Sequence, residues 1–210
     1  MQPLRSVTLG LTGASGIAYG VRLLDCLLAT GVDVALVYSQ AAQIVAKQEL
    51  DLTLPARPQD AERYFAERFG VRRGTLRAYG REDWYAPIAS GSNPTDAMVI
   101  CPCSMGTLAA VSNGLADNLI ERAADVALKE GRSLILVPRE TPFSIVHLDN
   151  MLRLARAGAV ILPANPGFYI RPRSVDDVVD FIVARVLDRL GVPHELVARW
   201  GRDVAKGSAA

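Results

Sequence analysis

The segment spanning residues 7–28 constrains this chain more than any other. Val7 to Leu11 reads as a short buried strand, and from Ile17 onward the apolar residues Val21, Leu24 and Leu28 recur at helical spacing. Between them lies Thr12-Gly13-Ala14-Ser15-Gly16. A glycine turn from strand to helix lets backbone N–H groups at the helix start converge on an anion, with the helix dipole adding to the attraction. This junction therefore predicts a doubly wound α/β fold with a mostly parallel sheet, with a phosphate cradle where such folds bind ligands. The glycines run Gly10-x-x-Gly13-x-x-Gly16, which is neither the dinucleotide pattern nor a P-loop. A tight turn that needs glycine only for its backbone freedom is the alternative.

At 210 residues the simplest organisation is one domain over 1–210, with a tail from about 191 acting as an oligomer or active-site arm. Half the residues are hydrophobic and few are aromatic, as suits buried parallel strands covered by helices. A net charge of +1 without a basic run gives nucleic-acid binding no electrostatic support. No apolar run reaches the roughly 18 residues of a membrane span, and the start lacks a signal-peptide core, so a cytoplasmic protein is expected. Cys26, Cys101 and Cys103 are odd in number and lie in apolar segments, which reads as reduced core thiols; one Cys-x-Cys is a weak metal signal.

The second strand is expected over 33–38, followed by Ser39 and a helix over 40–49. A nicotinamide-dinucleotide enzyme usually places an acidic residue at the end of this strand to hold the ribose. Ser39 stands there instead, which favours a mononucleotide. Residues 55–80 are the hardest to read, with a short amphipathic helix over 60–69.

The α/β rhythm resumes with a strand over 97–101, a turn from Pro102 to Thr107 and a helix over 108–113. Ser104 and Thr107 offer hydroxyls beside helix-start amides, either as a second anion site or as ordinary caps. In the helix over 118–130, Arg122, Asp125 and Lys129 share one face, and spacing alone makes them a solvated ion-pair row. A strand over 133–137 ends in Pro138-Arg139-Glu140-Thr141-Pro142, which places Arg139 and Glu140 in the ligand crevice before a Thr141 cap and a helix-starting Pro142. Arg139 suits a phosphate and Glu140 suits proton transfer; a helix-capping pair is the alternative. His147 lies on the next helix, over 143–157, as a packed or surface histidine. After a last strand over 160–162, a rigid loop can present Tyr169 to the same crevice. Ser174-x-x-Asp177 is a capping box for the final helix over 175–190, which carries Arg185, and Trp200 lies in the tail as a lid or oligomer contact.

Thr12-Gly13-Ala14-Ser15-Gly16, the run from Cys101 to Leu108, the run from Asn118 to Val126, Val137 to Pro142, and Pro166-Gly167-Phe168-Tyr169 together resemble the UbiX-type flavin prenyltransferases, over about residues 7–200. The resemblance implies a flavodoxin-like Rossmann fold with three α/β/α layers, assembled as a dodecamer with active sites between subunits. It implies metal-independent transfer of a dimethylallyl group from dimethylallyl phosphate to reduced FMN. The product, prenylated FMN, serves UbiD-type decarboxylases, one of them in ubiquinone synthesis. By position, Gly13, Ala14, Ser15, Ser39, Ser104, Met105, Gly106, Thr107 and Arg139 are implied to contact FMN. Tyr169 and Arg185 are implied to contact the prenyl phosphate, with Arg122 and Lys129 offered to it from a neighbouring subunit. Glu49 and Glu140 correspond to acid/base carboxylates, Ser15 stands by the reacting flavin edge, and Trp200 lies near the site mouth. The resemblance thus contradicts the reading of Arg122 and Lys129 as surface ion pairs.

Two alternatives compete. A flavin-dependent cysteine decarboxylase shares the fold but needs a catalytic histidine and a Pro-x-Met-Asn-x-x-Met-Trp loop; the chain has only His147 and His194 and no such loop. A flavin carrier without chemistry would not need the positioned carboxylates Glu49 and Glu140.

Overall fold

Alternation along the strands explains the architecture. Val34 and Leu36 face one hydrophobic core while Ala35 and Val37 face a second; Ile135 and Val137 face the first while Leu134 and Leu136 face the second. A strand apolar on both faces must be covered on both, which is the condition for a doubly wound parallel sheet. The computed structural model describes residues 4–70 and 72–198.

Six strands form one parallel sheet: β1 (Ser6–Leu11), β2 (Asp33–Tyr38), β3 (Leu76–Tyr79), β4 (Ala97–Cys103), β5 (Ser133–Pro138) and β6 (Val160–Ile161), in the order β3-β2-β1-β4-β5-β6. Without the short edge strand β3, the order β2-β1-β4-β5-β6 is that of a flavodoxin-like sheet. Helices α1 (Ile17–Ala29), α2 (Gln40–Leu50), α3 (Pro58–Phe69) and α7 (Val175–Leu190) contribute to the first core. Helices α4 (Met105–Ser112), α5 (Leu119–Lys129) and α6 (Ile145–Arg156) contribute to the second. The winding reverses between β1 and β4, so the ligand crevice lies beyond the carboxyl ends of these two strands.

Close packing at that switch point depends on Gly20. A Cβ there would lie 2.2 Å from the Cys101 carbonyl oxygen and 2.5 Å from a Leu11 methyl, so only glycine lets α1 settle onto the ends of β1 and β4. The arrangement is tied together further by the salt bridge of Arg22 on α1 with Asp180 on α7, at 2.7 Å.

Several element bounds differ from those expected. β4 continues through Pro102 to Cys103, and α4 begins at Met105 because the Ser104 hydroxyl accepts the Thr107 N–H and caps it there. Pro142 does not start a helix: it follows a cis peptide in a loop, and α6 starts at Ile145. The cap is Ser144 rather than Thr141, because Ser144 accepts the His147 N–H while His147 Nδ1 accepts the Ser144 N–H, a reciprocal capping box. β3 was not expected at all.

Candidate active site at the sheet switch point

Three helices start around the crevice, and each treats its first-turn amides differently. At α1 the cap is Gly16, held at φ 99° with no side-chain cap of its own. Its place is taken from 33 residues away: the Glu49 carboxylate, near the end of α2, accepts the Gly16 N–H at 2.9 and 3.1 Å and the Ile17 N–H at 3.1 Å. The anion cradle expected at Gly13–Gly16 thus already holds a carboxylate. Gly13 serves close packing, since a Cβ there would lie 2.4 Å from that of Ala41 in the first turn of α2.

At α2 the Ser39 hydroxyl accepts the Ala42 N–H at 3.1 Å, and the Ser39 N–H donates to the Leu11 carbonyl at 3.0 Å. At α4 the Ser104 hydroxyl accepts the Thr107 N–H at 3.3 Å and donates to the Thr107 hydroxyl at 3.1 Å. Met105 and Gly106 occupy the first two positions of α4, whose N–H groups have no intrahelical acceptor. Nothing lies within 4 Å of a Cβ built on Gly106. The start of α4 therefore combines two outward amides, the Thr107 hydroxyl and the positive end of a helix dipole, which suits an anionic nucleotide.

The loop after β5 adds Arg139 and Glu140. Arg139 is exposed, and its N–H donates to the Cys103 carbonyl at 3.4 Å, which joins this loop to the end of β4. The Glu140 carboxylate accepts the Thr141 N–H at 3.0 Å. Ser15 stands half-buried between β1 and α1, and Ala14 and Met105 are buried beside it along the crevice floor.

Tyr19 and Thr12 were missed as site residues. Tyr19 lies on the first turn of α1, with its N–H donated to the Gly16 carbonyl at 3.0 Å. Burial pushes its phenol up; Cys101 and Glu49 push the same way, against Arg139. Tyr19 thus stands among groups from β4, α2 and the β5 loop. Thr12 is 2% exposed and bonded to the β4–α4 junction. The only sequence signal for either was proximity to the glycine turn.

Four other expected site residues have polar or ring partners of their own within the chain. Arg122 bonds through Nε to the Ala89 carbonyl at 2.9 Å and pairs with Asp125 at 2.8 Å. Lys129 pairs with Glu130 beside Gly91. Both line the seam between α5 and residues 89–91, where their polar partners are Ala89, Asp125 and Glu130. Tyr169 packs edge-on against Phe181, with ring centroids 5.8 Å apart, and Arg185 lies one turn further along α7, paired with Asp188 at 3.1 Å. Trp200 lies outside the described residues.

The cysteines and histidines do other work. Burial pushes the Cys103 thiol up to about 12 and the Cys101 thiol higher still, so both are neutral core groups at neutral pH. His147 is occupied in the α6 capping box, and His194 lies 3.2 Å from Asp188 beyond the end of α7. Among the described residues, no group of three His, Cys, Asp or Glu side chains is placed to hold a metal ion.

A family model for flavoproteins matches residues 1–187. The chain is 57% identical to the flavin prenyltransferase UbiX of Pseudomonas aeruginosa, over 93% of each chain. It superposes on AnUbiX, solved in complex with FMN and dimethylallyl pyrophosphate, with a TM-score of 0.83 at 41% identity, covering 94% of this chain and 97% of that one. It also superposes on the dodecameric FMN-dependent UbiX-like decarboxylase of Escherichia coli O157:H7, with a TM-score of 0.82 at 42% identity, covering 93% and 98%. The flavodoxin-like sheet, the open α4 start and these relationships agree: the chain belongs to the flavoprotein family and, within it, to the UbiX-type flavin prenyltransferases.

Proposed function

We propose that the protein transfers a dimethylallyl group from dimethylallyl phosphate to reduced FMN, producing prenylated FMN without a metal. The observation that best supports this is the open start of α4 at the switch point, with Arg139 and the carboxylates Glu49 and Glu140 on the surrounding loops. Ser39, Ser104, Met105, Gly106, Thr107 and Arg139 hold the flavin nucleotide, with Gly13, Ala14 and Ser15 forming the floor beneath it. Reduced FMN would supply the electron-rich central-ring nitrogen and the neighbouring benzenoid carbon that form the two new bonds.

Breaking the allylic C–O bond leaves the bonding pair on phosphate, so stabilising that dianion is the main electrostatic task. Arg185 and Tyr169 meet the prenyl phosphate from one chain, and Arg122 and Lys129 from a neighbouring copy. Within one chain the latter two bond to Ala89, Asp125 and Glu130 and to none of the flavin-holding residues, which supports a site completed between subunits. A dodecamer, as in the Escherichia coli relative, is an assembly that supplies such a neighbour. The Tyr169 ring face stabilises the developing allyl cation. The first bond would replace the allylic C–O bond, with the ring N–H proton passing to the released phosphate. The second would use the alkene π pair, whose other carbon takes up a proton while a Glu140 carboxylate oxygen receives the one lost from the ring carbon, and Glu49 fixes the α1 start beside Ser15. The product passes to a UbiD-type decarboxylase in the cytoplasm, with ubiquinone synthesis as one destination.

Release of inorganic phosphate from dimethylallyl phosphate tests the reading. Release that depends on reduced FMN, and stops with oxidised FMN, is expected. Release at the same rate without flavin would make the protein a phosphatase.

A further inference from the structure

Among the described residues Thr12 is one of two buried polar residues, and its hydroxyl both donates and accepts. It donates to the Pro102 carbonyl at 2.9 Å and accepts the Ser104 N–H at 2.8 Å, while the Thr12 N–H also donates to Pro102, at 3.2 Å. One side chain on the β1 loop thus fixes the backbone on both sides of Cys103, where the register of β4 against β5 shifts. The consequence reaches the ligand side of Ser104. With its N–H held inward by Thr12, Ser104 turns its hydroxyl to Thr107, donating to the Thr107 oxygen and accepting the Thr107 N–H. The Thr107 proton is then directed to an incoming acceptor.

We propose that Thr12 is a positioning residue for flavin binding: its buried hydroxyl locks the β4–α4 junction so that Ser104, Thr107 and the first amides of α4 are preset for the nucleotide. This rests on the flavin reading above. Losing the hydroxyl leaves the half-buried Ser104 amide without its partner and the Pro102 carbonyl with the Thr12 N–H alone, a larger penalty than losing an ordinary surface hydrogen bond.

Thr8 supplies an internal control. It lies on the same strand, is equally buried at 2% exposure, and bonds to Thr95 at 2.8 Å, away from the crevice. Thr12→Val, Thr12→Ser and Thr8→Val are compared for FMN dissociation constant by flavin fluorescence, for melting temperature, and for the KM of dimethylallyl phosphate. Thr12→Val is expected to weaken FMN binding by about tenfold at an unchanged prenyl-phosphate KM, while Thr12→Ser and Thr8→Val bind FMN like the parent. FMN binding by Thr12→Val equal to that of Thr8→Val would overturn the proposal. Failure of Thr12→Ser to restore binding would do the same, by assigning the effect to packing. A parent protein that does not bind FMN would overturn the flavin reading and this inference together.

Discussion

Glu49 caps a helix it does not belong to: its carboxylate accepts the Gly16 N–H at 2.9 Å, so the end of α2 closes the start of α1. This contact explains why α1 tolerates glycine at its cap, and it fixes which helix starts remain open to a ligand. An internal carboxylate fills one cradle, and the α4 start is left for the nucleotide.

Removing that carboxylate has two expected effects. Glu49→Ala destabilises the fold by about 1 kcal/mol, the sum of a lost charge–dipole contact and exposed hydrogen bonds. It also opens the Gly16 and Ile17 amides, so inorganic phosphate raises the melting temperature of the variant more than that of the parent. Thermal unfolding with and without phosphate measures both, and equal phosphate effects would show that these amides are not an anion site.

Gly20→Ala tests the packing of α1 on the sheet. The added methyl would meet the Cys101 carbonyl at 2.2 Å, a backbone atom that cannot swing aside. The expected cost is about 1–3 kcal/mol, read as a lower urea midpoint at unchanged slope.

Arg122→Ala separates donor binding from flavin binding. The side chain is bonded to Ala89 and Asp125 on the α5 seam, not to its own crevice. The KM for dimethylallyl phosphate is expected to rise by more than about tenfold while FMN affinity stays within about twofold. Mixed oligomers of Arg122→Ala and Arg139→Ala subunits recover part of the activity if the two residues serve one site from different chains. Equal losses in donor and flavin binding would point to assembly instead.

Glu140→Gln keeps the shape of the carboxylate but removes its capacity to take a proton. FMN binding is expected to persist while the yield of the four-ring flavin falls by about 100-fold or more. An undiminished yield would remove Glu140 from the base role.

Much of this was legible because it is local. The β2 bounds Asp33–Tyr38 and the α7 bounds Val175–Leu190 coincide with those read from apolar spacing and the Ser174 capping box. The five junction motifs carried the family and the fold. β3 escaped because four residues at a sheet edge, with only Ala78 buried, carry no readable alternation. The α6 start was misread because proline favours a first helical turn, whereas the reciprocal bonds of Ser144 and His147 decide it. Glu49 and Thr12 act across 33 and 90 residues of chain, and no local pattern encodes such contacts. Arg122 forms the ion pair with Asp125 that spacing suggested, whereas Lys129 pairs with Glu130 instead of Asp125, and the role proposed for both between subunits is not visible within one chain.

The central claim is tested most directly by the mass of the flavin after turnover. The protein is incubated anaerobically with reduced FMN and dimethylallyl phosphate, and the extracted flavin is weighed by mass spectrometry. A gain of one five-carbon prenyl unit, absent when dimethylallyl phosphate is left out, is the predicted result. FMN recovered unmodified from a protein that binds it tightly would contradict the transferase account and leave a flavin-binding fold that serves another reaction.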